Sequence, residues 1–286
     1  MTVVDRRPGP RPRTGPTRRT VSVSGRDVTV LRGGTGMALL YLHGLCDIHA
    51  VGPVDQWTPL LARLAASFDV LAPALPGYDA STGLEDFDDV EDYVWHLVDL
   101  CRELGLAEVA VVGNSLGGWF ATELALRHPD LVARLVLLAP VGVHVRGVEV
   151  PPFFGAVAPR GIGGAGEARR LLFADPDGAV ALGALPDVMT TEQQLLWFSG
   201  LAGAARLGWK APHFQNRKLT ERLGRVAVPA LVVRGRDDLL VPEEAGRVWA
   251  TMPGARLLEI PDAGHCLALE HPALADEVAG FLVGPD

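Results

Sequence analysis

The stretch Val111–Gly118, VVGNSLGG, decides how this chain is read. Ser115 stands between Gly113 and Gly117, after an apolar run that begins at Val109 and before a helical pattern over 116–128. The expected local structure is a strand, a tight turn and a helix. Glycines allow the close approach and cramped backbone of such a turn, which lifts the serine hydroxyl clear of the sheet. The turn also sets that hydroxyl at a helix N-terminus, where developing negative charge is stabilised. A serine hydroxyl alone is a poor nucleophile. Ser115 is reactive only if other segments bring it a base, an acid and an oxyanion site; otherwise it merely packs a helix against a sheet.

Outward from the octet, short apolar runs alternate with helical patterns. TVSVSG from Thr20 and DVTVLRGG from Asp27 read as a hairpin with a glycine in the turn. ALLYLHG, FDVLAPAL, VAVVGNS, RLVLLAP, ALVVRGRDD and ARLLEIPDAGH have the continuous apolar character of strands buried on both faces. Helical patterns lie between them at 54–66, 85–104, 116–128, 243–251 and 271–283. This predicts an α/β fold, a mostly parallel central sheet with helices on both faces. The alternation breaks between 141 and 217, where Gly- and Pro-rich sequence leads into helix-like stretches around 167–184 and 190–208. Consecutive core strands need no such length. The expected organisation is therefore a core of 21–140 and 218–286, a helical cap insertion at 141–217 and a disordered tail at 1–20.

Composition excludes several function classes. The chain has 286 residues, 48% hydrophobic and 21% charged, as expected of a soluble globular protein. Its net charge of −8 is uneven: residues 1–20 hold six arginines against one acid, so the remainder carries about −13. An acidic body lacks the clustered cations that phosphate contacts require, and no nucleic-acid partner is expected. The tail is too polar to offset the entropy of ordering. No apolar segment follows Arg6-Arg7 or Arg18-Arg19, so neither pair reads as an export signal. No apolar run approaches the ~18 residues of a spanning helix, and no membrane partner is expected. Cys46, Cys101 and Cys266 are odd in number and far apart, which suits a reducing cytoplasm. Neither they nor His49, His96, His144 and His213 show metal-ligand spacing, so neither metal nor cofactor is expected. The oligomeric state stays open, a homodimer being one option.

The partners Ser115 needs lie at other strand ends, the edge where open parallel sheets bind ligands. His265, in PDAGHCLALEHP, follows the last apolar run on a glycine-containing loop. In the strand–turn–helix setting of G-x-S-x-G the chain order is serine, acid, histidine, and this histidine comes last. For the acid, the spacing G-x-x-D-x-x-x-P in GRDDLLVP selects Asp238, with Asp237 as runner-up. The acid would fix the histidine tautomer and stabilise the imidazolium. Backbone N–H groups of Leu116, directly after the serine, and of Leu45, in YLHGLCD, are the candidate oxyanion donors. His43 sits inside that turn and reads as structural. His128 and His271 read as residues at helix ends.

With these residues placed, LHG, PGYDAS, GNSLGG, GRDDLLVP and AGH, in this order, resemble the α/β-hydrolase superfamily, and within it the esterase and meta-cleavage-product hydrolase branch. The resemblance runs over roughly residues 20–284. It implies the α/β-hydrolase fold, the triad Ser115–Asp238–His265 and an oxyanion hole from Leu45 and Leu116. Three departures are informative. Ser115 stands where epoxide hydrolases and haloalkane dehalogenases carry aspartate, so their ester-intermediate route is not expected. Cys266 stands where carbon–carbon hydrolases of the meta-cleavage branch usually have tryptophan, although Asn114 before the serine fits that branch. The loop LCDIHAVGPVDQ before Trp57 is longer than usual and would reshape the substrate entrance.

Candidate substrate-binding residues are Asn114, Trp119, Arg206 and Cys266, with Arg206 or Arg217 available for a substrate carboxylate. Cys46 and Cys266 read as small wall residues. Of Phe153, Phe154, Phe173, Trp197, Phe198, Trp209 and Phe214, most should pack helices and a minority line an apolar pocket. The leading expectation is a cofactor-free serine hydrolase cleaving carboxylic ester or related acyl bonds of small to medium apolar substrates. The alternatives are a carbon–carbon hydrolase of the meta-cleavage type, a biosynthetic enzyme that transfers acyl groups or forms lactones with the same triad, and a ligand receptor on a hydrolase scaffold.

Overall fold

The structure, a computed structural model, describes residues 15–45, 47–49, 56–148, 151, 153–154, 164–208, 210 and 213–284. Its centre is one 8-stranded sheet in the order β1-β2-β4-β3-β5-β6-β7-β8. The strands are β1 (Thr17–Val23), β2 (Arg26–Gly33), β3 (Met37–Leu42), β4 (Phe68–Pro73), β5 (Val109–Asn114), β6 (Val132–Leu138), β7 (Ala230–Gly235) and β8 (Arg256–Ile260). β1 with β2 and β2 with β4 run antiparallel, and every other neighbouring pair is parallel. β5 and β7 are buried at all positions, which is why their sequences run apolar without alternation.

Helices cover both faces. Leu40, Leu42, Val111 and Leu137 point into one core with α2 (Val90–Glu103) and α3 (Leu116–Arg127). Leu39, Tyr41, Val112 and Val136 point into the other with α1 (Pro59–Leu64), and with α9 (Leu267–Glu270) and α10 (Leu274–Val283). Burying each such aliphatic side chain contributes about 1.5–3 kcal/mol relative to leaving it exposed. Between β6 and β7 lie α4 (Gly164–Leu172), α5 (Ala179–Ala184), α6 (Thr191–Gly208) and α7 (Arg217–Arg222), and α8 (Glu243–Trp249) follows β7.

Local chemistry sets several boundaries. The pattern expected from 85 becomes a helix only at Val90, because Asp89 caps it and Asp92 returns the favour in a capping box. The single helical stretch expected over 167–184 is two helices, α4 and α5, parted at Pro176, whose ring and missing N–H interrupt a helix. The boundary of the tail is also corrected. Residues 17–20 belong to β1, an edge strand whose side chains are mostly exposed. Its pairing with β2 uses backbone groups, so polar residues suffice, and Arg18 adds a two-pronged contact at 2.8 Å to Asp79. The part of the expected tail before residue 15 lies outside the described residues, as do Cys46, Trp209 and most of the long loop before Trp57.

Candidate active site

β5 ends at Asn114 and α3 starts at Leu116, leaving Ser115 alone to make the turn. Its backbone sits at φ 52 and ψ −112, a strained conformation for a residue with a side chain. Neighbouring strands hold it there: Ser115 N–H donates to Leu138 O at 2.8 Å, and Val141 N–H donates to Ser115 O at 3.2 Å. Gly117 is required by space, since a Cβ at that position would stand 2.0 Å from Leu42 O.

Two further strand ends meet the serine. Ser115 Oγ donates to His265 Nε2 at 2.8 Å, and His265 Nδ1 donates to Asp238 Oδ2 at 3.0 Å. The other carboxylate oxygen of Asp238 accepts the N–H groups of Leu240 and Val241, both at 2.8 Å. Those two bonds fix the orientation of the carboxylate towards the imidazole. Asp237, the runner-up, is exposed, and the imidazole pairs with Asp238. Ser115, His265 and Asp238 are all buried, at 9%, 4% and 3% exposure, so the hydrogen-bonded series is shielded from competing water.

Ser115 and His265 form part of the wall of a cavity of about 350 Å³. Leu45 and Leu116 line it too, together with Leu240 after β7 and Val141, Phe153, Leu172, Ala204 and Phe214 from the long β6–β7 segment. Leu116 is the first residue of α3, so the helix itself cannot satisfy its N–H. Among the described residues of that aromatic set, Phe153 and Phe214 are thus the ones that line the cavity. Trp197 and Phe173 are buried in the packing, and Phe198 is exposed.

The four candidate substrate-binding residues lie elsewhere. Asn114 Nδ2 donates to Asp47 at 2.8 Å. Trp119 donates through Nε1 to Glu123 on its own helix at 3.3 Å. Arg206 is half-buried within electrostatic reach of Tyr93, and Arg217 is exposed. Cys266 is buried as the residue before α9 and donates its N–H to Leu172 O at 3.1 Å. None of the four lines the cavity. His43 is fully engaged: Nδ1 donates to Gly44 O and Nε2 accepts from Leu75 N–H, both at 2.9 Å. Burial pushes its pKa down to about 3, which keeps it neutral.

Two contributors were missed from the sequence. Leu172, at the end of α4, accepts the N–H of both His265 and Cys266 through its carbonyl. Glu270 accepts the N–H of Gly264 at 3.0 Å and of Ala174 at 2.8 Å through its two carboxylate oxygens. Glu270 stands in LALEHP five residues after His265, but nothing local says which N–H groups it meets. Among the described residues, no cluster of three or more His, Cys, Asp or Glu is placed to hold a metal ion, and no helix is long and apolar enough to cross a membrane.

Residues 39–277 match the alpha/beta hydrolase family. A dihydrolipoyllysine-residue acetyltransferase component of an acetoin cleaving system from Cupriavidus necator is 29% identical over 248 residues, covering 84% of this chain. The chain spans only 61% of that relative's length. A pimeloyl-(acyl-carrier protein) methyl ester esterase from Aromatoleum aromaticum is 32% identical over 247 residues, 82% of this chain and 93% of that protein. A 2-hydroxymuconate semialdehyde hydrolase from a Pseudomonas species is 28% identical over 291 residues, 94% of each.

Proposed function

The chain belongs to the alpha/beta hydrolase family, and on that premise we propose that it is a serine hydrolase cleaving carboxylic esters, or closely related acyl compounds, of apolar small molecules. One observation carries the reading: Ser115, His265 and Asp238 form an unbroken hydrogen-bonded series whose serine end opens into an apolar cavity. Ser115 Oγ attacks the acyl carbon while its proton passes to His265 Nε2. The carbonyl π electrons move onto oxygen, where the N–H groups of Leu45 and Leu116 hold the charge. Collapse expels the alkoxide, which takes the proton from His265 and leaves an acyl-enzyme. Water, deprotonated by the same histidine, then releases the acid and restores the serine. Asp238 keeps His265 in the required tautomer and stabilises the imidazolium.

The cavity wall supports an ester of a neutral, apolar molecule, since its polar side chains are those of Ser115 and His265. A second reading, hydrolysis of a carbon–carbon bond in a vinylogous diketone, is favoured by Asn114 before the serine and by the end-to-end match to the Pseudomonas relative. An acyl-chain series of p-nitrophenyl esters and one chromogenic meta-cleavage product, assayed on wild type and Ser115→Ala, separates them. Ester turnover that vanishes with the serine, and labelling of Ser115 by a fluorophosphonate, are the expected outcome. Preference for the meta-cleavage product would select the second reading. Wild-type turnover by Ser115→Ala would end both.

A further inference from the structure

Ser115 rests on a buried polar cluster outside the cavity. Asp47 is wholly enclosed, at 0% exposure. Three donors converge on its carboxylate: Asn114 Nδ2 at 2.8 Å and the Tyr41 hydroxyl on one oxygen, and Ile48 N–H at 2.7 Å on the other. Burial raises the pKa of a carboxyl group this deep and the three donors pull it back down, so its placement depends on those hydrogen bonds. Tyr41 belongs to the second core, whereas Leu45 and Leu116 belong to the first. None of Tyr41, Asp47, Ile48 and Asn114 lines the cavity.

Its members are chain neighbours of the working groups. Asp47 lies two residues after Leu45, and Asn114 directly precedes Ser115. Cys266, directly after His265, lies within electrostatic reach of Tyr41. The backbone pairing of β3 with β5 ends at Leu42 and Gly113, so the sheet ladder does not hold the segment carrying Leu45. That segment nonetheless runs hard against the turn, for a Cβ at Gly44 would stand 2.8 Å from Ser115 Cβ and 3.1 Å from Asn114 O. The Asp47–Asn114 bond is the tie that takes over where the ladder stops.

We propose that Asp47 is a positioning residue for the oxyanion site, its buried carboxylate locking the Leu45 segment to Asn114 so that the Leu45 N–H stands at a fixed distance from Ser115. The inference rests on the serine-hydrolase reading. An oxyanion donor works only if its distance to the developing charge is preset, so slack in this tie weakens the transition state and leaves substrate binding alone.

The test uses Asp47→Asn, which changes one atom, and Asn114→Ala, which removes the other half of the tie. Each is compared with wild type in kcat and KM on p-nitrophenyl butyrate, in affinity for benzyl trifluoromethyl ketone, whose serine adduct places an oxyanion in the site, and in thermal midpoint. Losing one oxyanion donor outright lowers kcat about 10²–10³-fold, so loosening one should lower it roughly 10–100-fold. KM should stay within about twofold, and the ketone should weaken in step with kcat. A merely structural role would lower the midpoint without moving kcat and ketone affinity together. Folded variants with wild-type kcat and ketone affinity overturn the inference, and so does loss of fold in both, which would make the cluster a stability element. If Ser115→Ala is inactive while the Asp47 and Asn114 variants turn over normally, only the positioning role falls; if Ser115→Ala remains active, the serine reading itself falls.

Discussion

The two sides of Ser115 are built from different parts of the chain. On the oxyanion side the supports come from the core: the Asp47–Asn114 bond, and the His43 ring bridging Gly44 O and Leu75 N–H. On the base side, His265 is tied to the long β6–β7 segment. Leu172 O accepts the His265 N–H at 2.8 Å, and Glu270 bridges Gly264 next door to Ala174. The end of α4 bonds directly to the backbone of His265, and His265 bonds to Ser115 through its side chain. Ser115 is thus held by the sheet, while His265 shares its placement with a segment that also walls the cavity.

That contrast can be broken at several strengths. The largest effect should come from the groups where the two sides meet: Ser115→Ala and His265→Ala are each expected to lower kcat by about 10⁶, and the double variant by little more, because the pair acts as a unit. Kinetics on the two singles and the double decide this, and additive losses would contradict it. Next is Asp238→Asn, which keeps the shape but removes the charge and favours the wrong tautomer, an expected loss of about 10⁴ in kcat.

A smaller change isolates the base side. Glu270→Gln puts an NH₂ group against one of two backbone donors, leaving it unsatisfied at a cost of about 1–3 kcal/mol. The urea midpoint should fall accordingly, and kcat should drop about tenfold as His265 loses its anchor. Full activity in a destabilised Glu270→Gln would show that the tie to Ala174 serves the fold alone.

Acid should act on the two sides with opposite sign. Free histidine takes up a proton near pH 6.5, but burial lets His43 do so only near 3. Between those values the unfolded chain holds the extra proton, so the stability His43 contributes is present above pH 6.5 and is lost as pH falls towards 3, on the order of 1 kcal/mol per unit. His96 adds to this loss: burial lowers its pKa to about 4, and neither ring nitrogen has a hydrogen-bond partner among the described residues. Glu270 works the other way, since burial raises its pKa above the ordinary 4.5 and the folded state binds the proton first. Midpoints measured from pH 7 to 4 should fall on acidification, and less steeply in His96→Phe. An unchanged slope in that variant would remove His96 from the account.

Much of the fold was readable because its signals are local. β5 and β7 show continuous apolar runs because both their faces are buried, whereas the start of α2, set by the cap at Asp89, comes five residues later than the sequence pattern suggests. The residues of the candidate site were readable for a related reason: each sits at the end of such a run, beside a glycine or in a fixed spacing. β1 hid its first residues because an edge strand pairs through backbone alone, so Thr17–Arg19 looked like more of the polar tail. Trp119 and Arg206 drew notice as chemistry, yet neither is among the residues lining the cavity, and Trp119 Nε1 donates to Glu123 instead.

By itself, the sequence determined the alternation of core strands with helices and the strand–turn–helix at Ser115, which depend on residues a few positions apart. Tertiary structure alone decided the strand order β1-β2-β4-β3-β5-β6-β7-β8 and which groups Glu270 and Asp47 meet. The physical reason is distance along the chain. Asn114 and Asp47 are 67 residues apart and His265 and Ser115 are 150, and no local preference encodes a hydrogen bond between groups that only the packed sheet brings together.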